Sequence, residues 1–309
     1  MLFKICQIIV AFFFSVASLF SATVPTPVVE TEKPLVSVNP IPIAKAEKTQ
    51  DIKVMTFNLK YNGDGYQTRE NRFPKAVKMI ERHAADSFGV QEAEKWWNDS
   101  FEEALPQYAR VGTYRDDGIS LGESCSIFYL KDKFELVDSG DFWLSETPDK
   151  PSKGWDSACS RITTWAILKD KATGFVYAHF NTHLDHVGAK AKAESVPLIA
   201  EKIAEIAPDI PVVLTGDFNM TEDSGNYVNI LACKLNDTRH LAERADNCAT
   251  YHDYNPFVFN TKPIDFIFVN GYYASVKSSI VDSSTFGLVY PSDHFPVIVE
   301  MTLFNGGNN

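Results

Sequence analysis

The sequence predicts an α/β fold of the mixed (α+β) kind, in which β-sheets are covered by helices. Strands and helices alternate at first, a run of strands then precedes one long helix, and the end of the chain is rich in strands. This order favours covered sheets over a doubly wound parallel sheet. The 309 residues, 45% hydrophobic and 22% charged, have a normal globular balance. The length suits one large domain or two small ones, and no internal repeat is visible.

Hydrophobic periodicity predicts each element of the first part in turn. Apolar and polar residues alternate over Asp51–Leu59, which predicts a strand. Apolar residues at helical spacing predict a helix over Asn71–His83. The short apolar run Ser87–Val90 is typical of a buried strand, and a second helix is predicted over Trp96–Leu105, where Pro106 ends it.

The remainder of the chain is predicted to consist mainly of strands. A long helix rich in Ala, Lys and Glu is predicted over Gly188–Ile206. Apolar runs bounded by turn residues predict strands on both sides of this helix. These strands are Cys125–Tyr129, Phe134–Asp138, Thr163–Leu168, Phe175–Asn181, Pro211–Leu214, Asp265–Val269 and Val297–Met301.

The first 50 residues lie outside the predicted folded region. Lys4, the apolar stretch Ile5–Phe20 and the small residues near its end predict a signal peptide over residues 1–22, and hence a secreted or periplasmic protein. The apolar stretch is nearly long enough to span a bilayer, so an uncleaved membrane anchor is the alternative. Five prolines in residues 23–50 predict a linker, which leaves residues 51–305 as the folded domain.

The cysteines and the net charge add two expectations. After Cys6 an even number of cysteines remains, which in an exported chain predicts the disulfides Cys125–Cys159 and Cys233–Cys248, with four free thiols as the alternative. Residues 51–309 carry 25 basic and 37 acidic side chains. This acidic balance argues against tight, non-specific binding to long polyanions, although it leaves room for a local basic cleft.

Polar side chains recur at the ends of the predicted strands. Five short patterns place them directly after an apolar run: TFNLKY with Asn58, GVQEA with Glu92, NTHLDH with His183 and Asp185, TGDFNM with Asp217 and Asn219, and PSDHFPV with Asp293 and His294. A sixth pattern places Asp265 at the start of a strand. Each pattern alone has a structural explanation, such as a turn or an ion pair.

Together, these polar groups are costly to bury unless a metal ion and a phosphate serve as their partners. Mg²⁺ prefers hard oxygen ligands, which Glu92 and Asp293 would supply. Histidine and aspartate are suited to polarising a water molecule and protonating a leaving group. The sequence contains no HExxH, GxSxG or Walker-A pattern, so zinc-protease, serine-hydrolase and P-loop chemistries lack support.

In this order, the GDFN and SDH motifs and the polar residues around them resemble the endonuclease/exonuclease/phosphatase superfamily over Asp51–Leu303. The stretches Phe142–Pro148 and Lys153–Ala166 are also similar to exported hydrolases related to the deadenylase branch of that superfamily. The resemblance implies a four-layer sandwich, with two mixed β-sheets packed face to face and helices on the outside.

The resemblance also implies roles for individual residues. The implied metal ligands are Glu92, Asn58 and Asp293. The implied catalytic residues are His183, Asp217, Asn219, Asp265, His294 and Glu123, with Asp265 orienting His294 and Glu123 pairing with His183. The implied contacts to the substrate phosphate are Arg161, Asn219 and His183. Lys60 stands where some members carry a second metal-site aspartate, which argues against a two-metal mechanism.

The expected function is a secreted, Mg²⁺-dependent hydrolase of phosphate esters, with Mn²⁺ as a substitute metal. It would be a phosphodiesterase or nuclease-like enzyme that uses a metal-activated water, but the chain lacks basic insertions for holding a DNA duplex. The alternatives are a phosphomonoesterase, a lipid phosphodiesterase or, less favoured, a non-catalytic binding module. Candidate substrates are a nucleotide, single-stranded nucleic acid, a lipid head group and a phosphoglycan.

Two further expectations concern the surface of the protein. We expect a monomer without a stable protein partner. The aromatic residues Trp143, Trp155 and Tyr114 would form a stacking wall for a base or a sugar, or would instead pack into the core.

Overall fold

A computed structural model describes residues 48–255, 262–270, 273–287 and 289–305 of the chain. The predicted signal peptide and nearly all of the predicted linker lie outside the described residues. The first strand begins at Thr49, so the last two residues of the predicted linker belong to the folded domain. Among the described helices, none has the length and apolar character needed to span a membrane.

The described residues form thirteen strands, five α-helices and one short 3-10 helix, Gly65–Gln67. In chain order, the strands are β1 (Thr49–Asn58), β2 (Ser87–Gln91), β3 (Tyr108–Val111), β4 (Ile127–Leu130), β5 (Phe134–Trp143), β6 (Ile162–Asp170), β7 (Val176–His183), β8 (Val212–Asp217), β9 (Leu235–Asp237), β10 (Arg244–Ala245), β11 (Asp265–Asn270), β12 (Ala274–Val281) and β13 (Val297–Phe304). The helices are α1 (Arg69–His83), α2 (Lys95–Ala104), α3 (Ala189–Ile206), α4 (Gly225–Ala232) and α5 (Thr238–Leu241).

The strands build two mixed sheets. The first sheet has seven strands in the order β10-β12-β13-β1-β2-β4-β3, and the second has six in the order β5-β6-β7-β8-β11-β9. In the first sheet β1 is parallel to β2 and antiparallel to β13. In the second sheet β7 is parallel to β8, which is antiparallel to β11.

The sheets pack face to face, and helices cover their outer faces. Val54 and Val299 of the first sheet share one buried cluster with Tyr177 and Val213 of the second. The next residue along β1, Met55, points to the opposite face, where it packs with residues of α1 and α2. The outer face of the second sheet packs in the same way against α3 and α4. The predicted four-layer sandwich is therefore confirmed.

The elements that the sequence did not predict have weak local patterns. β3 is four residues long and carries Arg110, and β12 has the largely polar sequence ASVKSSIV. α4 follows Ser224, whose side chain accepts a hydrogen bond from the backbone N–H of Tyr227 at the start of the helix. These elements are stabilised by neighbouring strands and by the core, which periodicity in a short window does not reveal.

A polar network crosses the interface between the two sheets. The Asn181 side-chain amide donates to the backbone oxygens of Val90 (2.9 Å) and Ser126 (3.1 Å) of the first sheet. Its oxygen accepts from the side chains of Gln91 (2.7 Å) and Thr215 (2.9 Å). Because Asn181 is buried and both its amide nitrogen and its oxygen are paired, these bonds fix the end of β2 against the second sheet.

The strand ends that carry polar residues lie together at one edge of the sandwich. β1 ends at Asn58, β7 at His183 and β8 at Asp217, while Glu92 directly follows β2. Asp217 pairs in register with His183 on one side and with Asp265, the first residue of β11, on the other. The topology therefore places these five side chains at one end of both sheets.

Candidate active site

Asn58 connects the acidic residues of the two sheets. Its side-chain amide donates to Glu92 Oε1 at 3.2 Å and to Asp217 Oδ2 at 2.9 Å. The other Glu92 oxygen accepts from the backbone N–H of Tyr61 at 3.2 Å. Glu92 has a φ of 56°, a left-handed conformation that is unfavourable for a residue with a side chain.

Asp293 lies beside this group and is only 2% exposed. Burial and the negative charge of Glu92 raise the pKa of Asp293, and His294 and Lys60 oppose that rise. Lys60 Nζ lies 3.6 Å from an Asp293 oxygen. The Arg72 guanidinium donates to the backbone oxygens of Lys60 (2.7 Å) and Pro291 (3.2 Å), and so holds the two loops that carry these residues.

Asp217 and Asn219 form a compact turn after β8. Asp217 Oδ1 accepts from the Asn219 backbone N–H at 2.9 Å, and Asn219 has a φ of 46°. The Asn219 amide donates to the backbone oxygen of Leu184 at 3.0 Å, which identifies its nitrogen. The same nitrogen lies 3.0 Å from His183 Nε2. His183 Nε2 must therefore accept, and a neutral His183 carries its proton on Nδ1.

His294 forms the hydrogen bond that the sequence predicted. Its Nδ1 lies 2.8 Å from Asp265 Oδ2, and both residues are buried. Burial alone disfavours the imidazolium, but Asp265, Asp217 and Asp293 outweigh it and raise the pKa of His294 to about 10. The other ring nitrogen, Nε2, lies 3.8 Å from Asp217 Oδ2 and 4.0 Å from Asp293 Oδ1. His294 is therefore a cation among carboxylates at neutral pH.

The two histidines of the site have opposite electrostatic environments. Burial lowers the pKa of His183, and the positive charges of Arg161 and Arg115 lower it further. His183 is therefore neutral where His294 is charged. Burial and the neighbouring Asp265 raise the pKa of Asp217 to about 7, although His294 opposes that rise. Pairs of titratable groups with diverging pKa values are typical of acid–base chemistry.

Glu123 does not pair with His183 as the sequence predicted. Its carboxylate accepts two hydrogen bonds from the Arg115 guanidinium, the longer of them 2.9 Å. Within the described residues, no hydrogen bond joins it to His183, although both side chains line one pocket. Glu123 pairs with Arg115 because the guanidinium is always charged and donates two charge-assisted hydrogen bonds, whereas a neutral imidazole would donate one weaker hydrogen bond.

Arg161, for which the resemblance implies a contact to the substrate phosphate, is buried and lines the same pocket. Its Nε donates to Asp185 Oδ2 at 3.3 Å, and its Nη2 lies 2.9 Å from His186 Nδ1. Asp185 also accepts backbone N–H groups from Ala158, Val187 and Gly188, so it anchors the loop that leads into α3.

The predicted aromatic stacking wall is not present as such. Trp143 is 6% exposed and Tyr114 is 5% exposed, so both pack into the protein. The indole N–H of Trp143 donates to the backbone oxygen of Arg115 at 2.6 Å. Two exposed tyrosines lie at the site instead: Tyr61, whose backbone N–H contacts Glu92, and Tyr251, whose ring lies 4.9 Å from that of His294. Tyr251 follows no recognisable motif, which is why the sequence did not reveal it.

The predicted disulfides are absent from the structure. The four cysteines in the described part of the chain, Cys125, Cys159, Cys233 and Cys248, are free thiols. Cys125 is buried, and Cys159 Sγ instead approaches Asp185 Oδ2 at 3.9 Å. Cys233 follows α4 directly, whereas Cys248 lies in an exposed loop beyond β10. The prediction of two disulfides from the even number of cysteines is therefore wrong.

The donor set at the edge of the sheets fits a hard divalent cation. Glu92 and Asp293 supply carboxylate oxygens, and the negative charge of Glu92 adds to burial in raising the pKa of Asp293. The Asn58 side-chain oxygen accepts from the Lys60 backbone N–H at 2.9 Å, while its amide nitrogen faces Glu92. Ligand atoms of Asp217, Asp265 and His294 lie within 4.8 Å of one another, which marks a second possible position. We favour the first set, because His294 already shares a proton with Asp265 in the second.

A buried site with carboxylates, an asparagine pair and two histidines, at one edge of a two-sheet sandwich, defines a class of hydrolase. A family model described as the endonuclease/exonuclease/phosphatase family matches residues 55–294. The chain belongs to this family, whose members are hydrolases that act on phosphoesters.

Several solved structures resemble the chain closely. A family member from Bacteroides thetaiotaomicron is 38% identical, with a TM-score of 0.78 over 82% of this chain and 98% of that one. A mannosyl-6-phosphatase of the same organism is 39% identical, with a TM-score of 0.77 over 81% and 99%. The catalytic domain of human Nocturnin, 20% identical with a TM-score of 0.65 over 83% and 97%, shares the fold.

One curated relative also matches part of the chain. It is an uncharacterized protein of Acanthamoeba polyphaga mimivirus, 31% identical over 164 residues. The match spans 50% of this chain and 60% of the viral protein.

Proposed function

We propose that the protein is an exported, Mg²⁺-dependent hydrolase of phosphate esters. The observation that carries the proposal is the meeting of Asn58, Glu92, Asp217, Asp265 and His294 at one edge of the two sheets. These groups come from both sheets, and all but the partly exposed Glu92 are buried; the pKa values of Asp217 and His294 are raised to about 7 and about 10. Such an arrangement is costly for folding and suits the stabilisation of a reacting anion.

The side chains divide the work of hydrolysis. Asp217, whose pKa is raised to about 7, is positioned by Asn58 and by the Asn219 backbone to orient the attacking water and take its proton. The His294 imidazolium directs Nε2–H towards the phosphate, while Asp265 holds Nδ1–H. Asn219 adds an amide donor beside them.

Glu92, Asn58 and Asp293 would hold the cation. When bound, Mg²⁺ would neutralise the negative charge that develops on the phosphate, with Mn²⁺ as a substitute. The positive charges of Lys60 and Arg72, near the same carboxylates, compensate for part of their repulsion. Lys60 occupies the place of a further carboxylate, which favours a single cation.

The substitution Glu92→Ala tests this proposal. Removal of the main charged ligand should lower Mg²⁺-dependent hydrolysis of bis(p-nitrophenyl) phosphate and p-nitrophenyl phosphate by more than about 100-fold, since a lost metal ligand costs several kcal/mol of transition-state stabilisation. Glu94→Ala is the matched control, because Glu94 lies two residues away and pairs with Arg69 instead. Wild-type protein that is inactive with Mg²⁺ and Mn²⁺, or unaffected by EDTA, would contradict the proposal.

Two classes of phosphate ester are candidate substrates, phosphodiesters and phosphomonoesters. A nuclease-like phosphodiesterase is the first expectation from the sequence motifs. A phosphomonoesterase is supported by the similarity, at 39% identity, to a protein described as a mannosyl-6-phosphatase. The acidic net charge of −11 favours a small substrate over a long polyanion.

We also propose that the N-terminal segment directs the chain out of the cytoplasm. The apolar stretch after Lys4 and the small residues near residue 22 support a cleaved signal peptide. Mass spectrometry of the N-terminus of protein recovered from the exported fraction would test this. A retained apolar stretch in a membrane fraction would favour the anchor instead.

A further inference from the structure

Lys60 carries a half-buried ammonium group at the edge of the site. Its side chain is 31% exposed, and Asp293 Oδ2 lies 3.6 Å from Nζ, beyond the reach of a good hydrogen bond. On its other side the ammonium lies 5.1 Å from the centre of the Tyr61 ring. Among the described residues, no hydrogen bond joins Lys60 Nζ to an acceptor, so its three N–H donors are available to a further group.

The backbone of Lys60 is held at both of its peptide groups. The N–H donates to Asn58 Oδ1 at 2.9 Å, and the carbonyl oxygen accepts from Arg72 Nη2 at 2.7 Å. Lys60 has a φ of 54°, a left-handed conformation that is unfavourable for a residue with a side chain. A strained conformation that the surroundings enforce indicates that the direction of this side chain matters for function.

The ammonium is a permanent positive charge. Burial alone would lower the pKa of Lys60, but the charges of Glu92 and Asp293 outweigh burial and raise it. Tyr61 and Tyr251 add to the rise, so both tyrosines lie near the ammonium. Lys60 is therefore a cation throughout the neutral pH range, at the side of the site where Glu92 and Asp293 lie.

Lys60 and Asp217 lie on different sides of the Asn58 amide. This amide donates to Glu92 Oε1 at 3.2 Å and to Asp217 Oδ2 at 2.9 Å. Glu92 is the carboxylate that acts most strongly on Lys60, whereas Asp217 adjoins His294 Nε2 at 3.8 Å. Attacking and leaving oxygens lie in line across phosphorus. With the water at Asp217, the leaving oxygen is therefore directed towards Lys60.

The surface around Lys60 can accommodate the organic part of an ester. Among the described residues, the exposed aromatic side chains are Tyr61, Tyr66 and Tyr251, and all three belong to loops at this edge of the sandwich. Tyr61 and Tyr251 are 43% and 41% exposed. Aromatic rings offer a large apolar contact area, which suits an alcohol or phenol that leaves beside the ammonium.

We propose that Lys60 is a further catalytic residue, whose ammonium donates a hydrogen bond to the leaving oxygen of the ester. The inference rests on the proposed phosphoester hydrolysis and adds the group that stabilises the departing alcohol. As the bond from the water oxygen to phosphorus forms, the bond from phosphorus to the alcohol oxygen breaks, and its electron pair stays on that oxygen. Asp217 takes a proton from the water and later returns it to solvent, which also protonates the released alcohol.

The test compares phenyl phosphate with p-nitrophenyl phosphate in wild type and Lys60→Met. Phenolate is more basic than p-nitrophenolate, so its departure needs more stabilisation. Lys60→Met should lower kcat for the phenyl ester by about 10- to 100-fold, the value of a hydrogen bond to a charged group, with little change in KM. The loss should be at least about 5-fold smaller for the p-nitrophenyl ester, because less charge remains on its leaving oxygen. Diphenyl phosphate and bis(p-nitrophenyl) phosphate replace this pair if wild type hydrolyses only diesters.

Two variants serve as controls. Lys133→Met is the matched control, because Lys133 is 30% exposed, pairs with Asp86 at 2.8 Å and lies 5.3 Å from the centre of the Phe134 ring. Asp86 precedes β2, so this lysine lies away from the site, and its loss should leave the ratio of the two rates unchanged. Lys60→Arg keeps a cation and should recover most of the kcat for the phenyl ester.

Metal binding and thermal melting separate a role in catalysis from a role in structure. In calorimetric titration, Lys60→Met should bind Mg²⁺ as tightly as wild type or more tightly, because the substitution removes a positive charge beside Glu92 and Asp293. If Lys60→Met melts at a lower temperature than wild type, Lys60→Gln keeps a polar tip and should show the same dependence on the leaving group.

The outcomes separate this inference from the proposed function. Equal losses on the two esters, unchanged rates, weaker Mg²⁺ binding by Lys60→Met, or no recovery in Lys60→Arg would overturn the inference and leave phosphoester hydrolysis in place. Failure of wild type to hydrolyse any of the four esters with Mg²⁺ or Mn²⁺ would instead overturn the proposed function, and the inference with it.

Discussion

The pair formed by Asp265 and His294 allows a prediction with a calculable size. Asp265→Asn keeps the shape of the side chain but removes the negative charge that faces His294 Nδ1 at 2.8 Å. Both residues are buried, with 2% and 4% of their surfaces exposed. Solvent therefore screens their interaction little, and the loss should be close to that of a buried hydrogen bond to a charged group.

Such a bond contributes about 1.5–3 kcal/mol. Since one pKa unit corresponds to about 1.4 kcal/mol, the substitution should lower the pKa of His294 by about 1 to 2 units. The pKa of His294 begins at about 10, because Asp265 and two further carboxylates outweigh burial. The basic limb of the pH–rate profile should move down by the same amount, and kcat should fall by about 10- to 100-fold as the imidazolium loses its orientation.

The assay is the pH dependence of kcat with Mg²⁺, together with an NMR titration of the His294 ring. Asp282→Asn is the matched control, because Asp282 contacts His83 Nε2 at the same distance of 2.8 Å, at the end of α1. The control should lose stability without a shift in the pH–rate profile. The double variant Asp265→Asn/His294→Ala should be little worse than His294→Ala, since the two residues act as one unit.

Two results would refute this reasoning. The first is a His294 pKa that stays near 10 in Asp265→Asn, which would mean that Asp217 and Asp293 alone determine the charge. The second is additive loss of kcat in the double variant, which would mean that Asp265 acts on the reaction independently of His294.

Three further predictions concern the core and the thiols. Burial lowers the pKa of His179 to about 3, so the unfolded state takes up the proton first and stability falls as pH drops below about 6.5. Between pH 7 and pH 5, the free energy of unfolding measured in urea should fall by about 2 kcal/mol less in His179→Gln than in wild type. Equal falls in the two proteins would contradict this. Gly89→Ala should cost about 1–3 kcal/mol, since its Cβ would collide with Asn181 between the sheets, whereas Gly225→Ala meets nothing and should cost far less. In the denatured, unreduced protein the four cysteines of the described residues, Cys125, Cys159, Cys233 and Cys248, should all titrate as thiols, and a shortfall of two would restore one predicted disulfide.

The order of the elements and most site residues could be read from the sequence. Apolar and polar residues alternate in the run DIKVMTFN, which predicts β1. Asn58 ends this strand and Glu92 follows β2, and both strands are recognisable from short apolar runs. Because strand ends that carry polar groups are a local pattern, the sequence also pointed to His183, Asp217 and Asp265. The tertiary structure then placed these three in register on neighbouring strands.

The sequence did not determine which side chains pair or which are exposed. Arg115 and Glu123 lie in a loop with no periodicity, and their contact decides that Glu123 is not the partner of His183. The sequence suggested that Trp143 stacks against a base or a sugar of the substrate, but Trp143 is buried. Tyr251, which the sequence did not suggest, is exposed beside His294. Whether a side chain is exposed, and which side chain it contacts, depends on residues that are distant in sequence and meet only in the folded protein. A local sequence pattern therefore carries no information about either.

The sequence by itself determined the strands, the helices and the polar residues at the strand ends, because periodicity and motif spacing are properties of short segments. The four layers were implied by the resemblance to the family that those motifs carry. The tertiary structure alone decided that His294 is charged while His183 is neutral. It also placed the Lys60 ammonium beside Asp293, whose charge helps to raise the pKa of Lys60. Both depend on burial and on the sum of surrounding charges, which act through space and only after the two sheets have packed together.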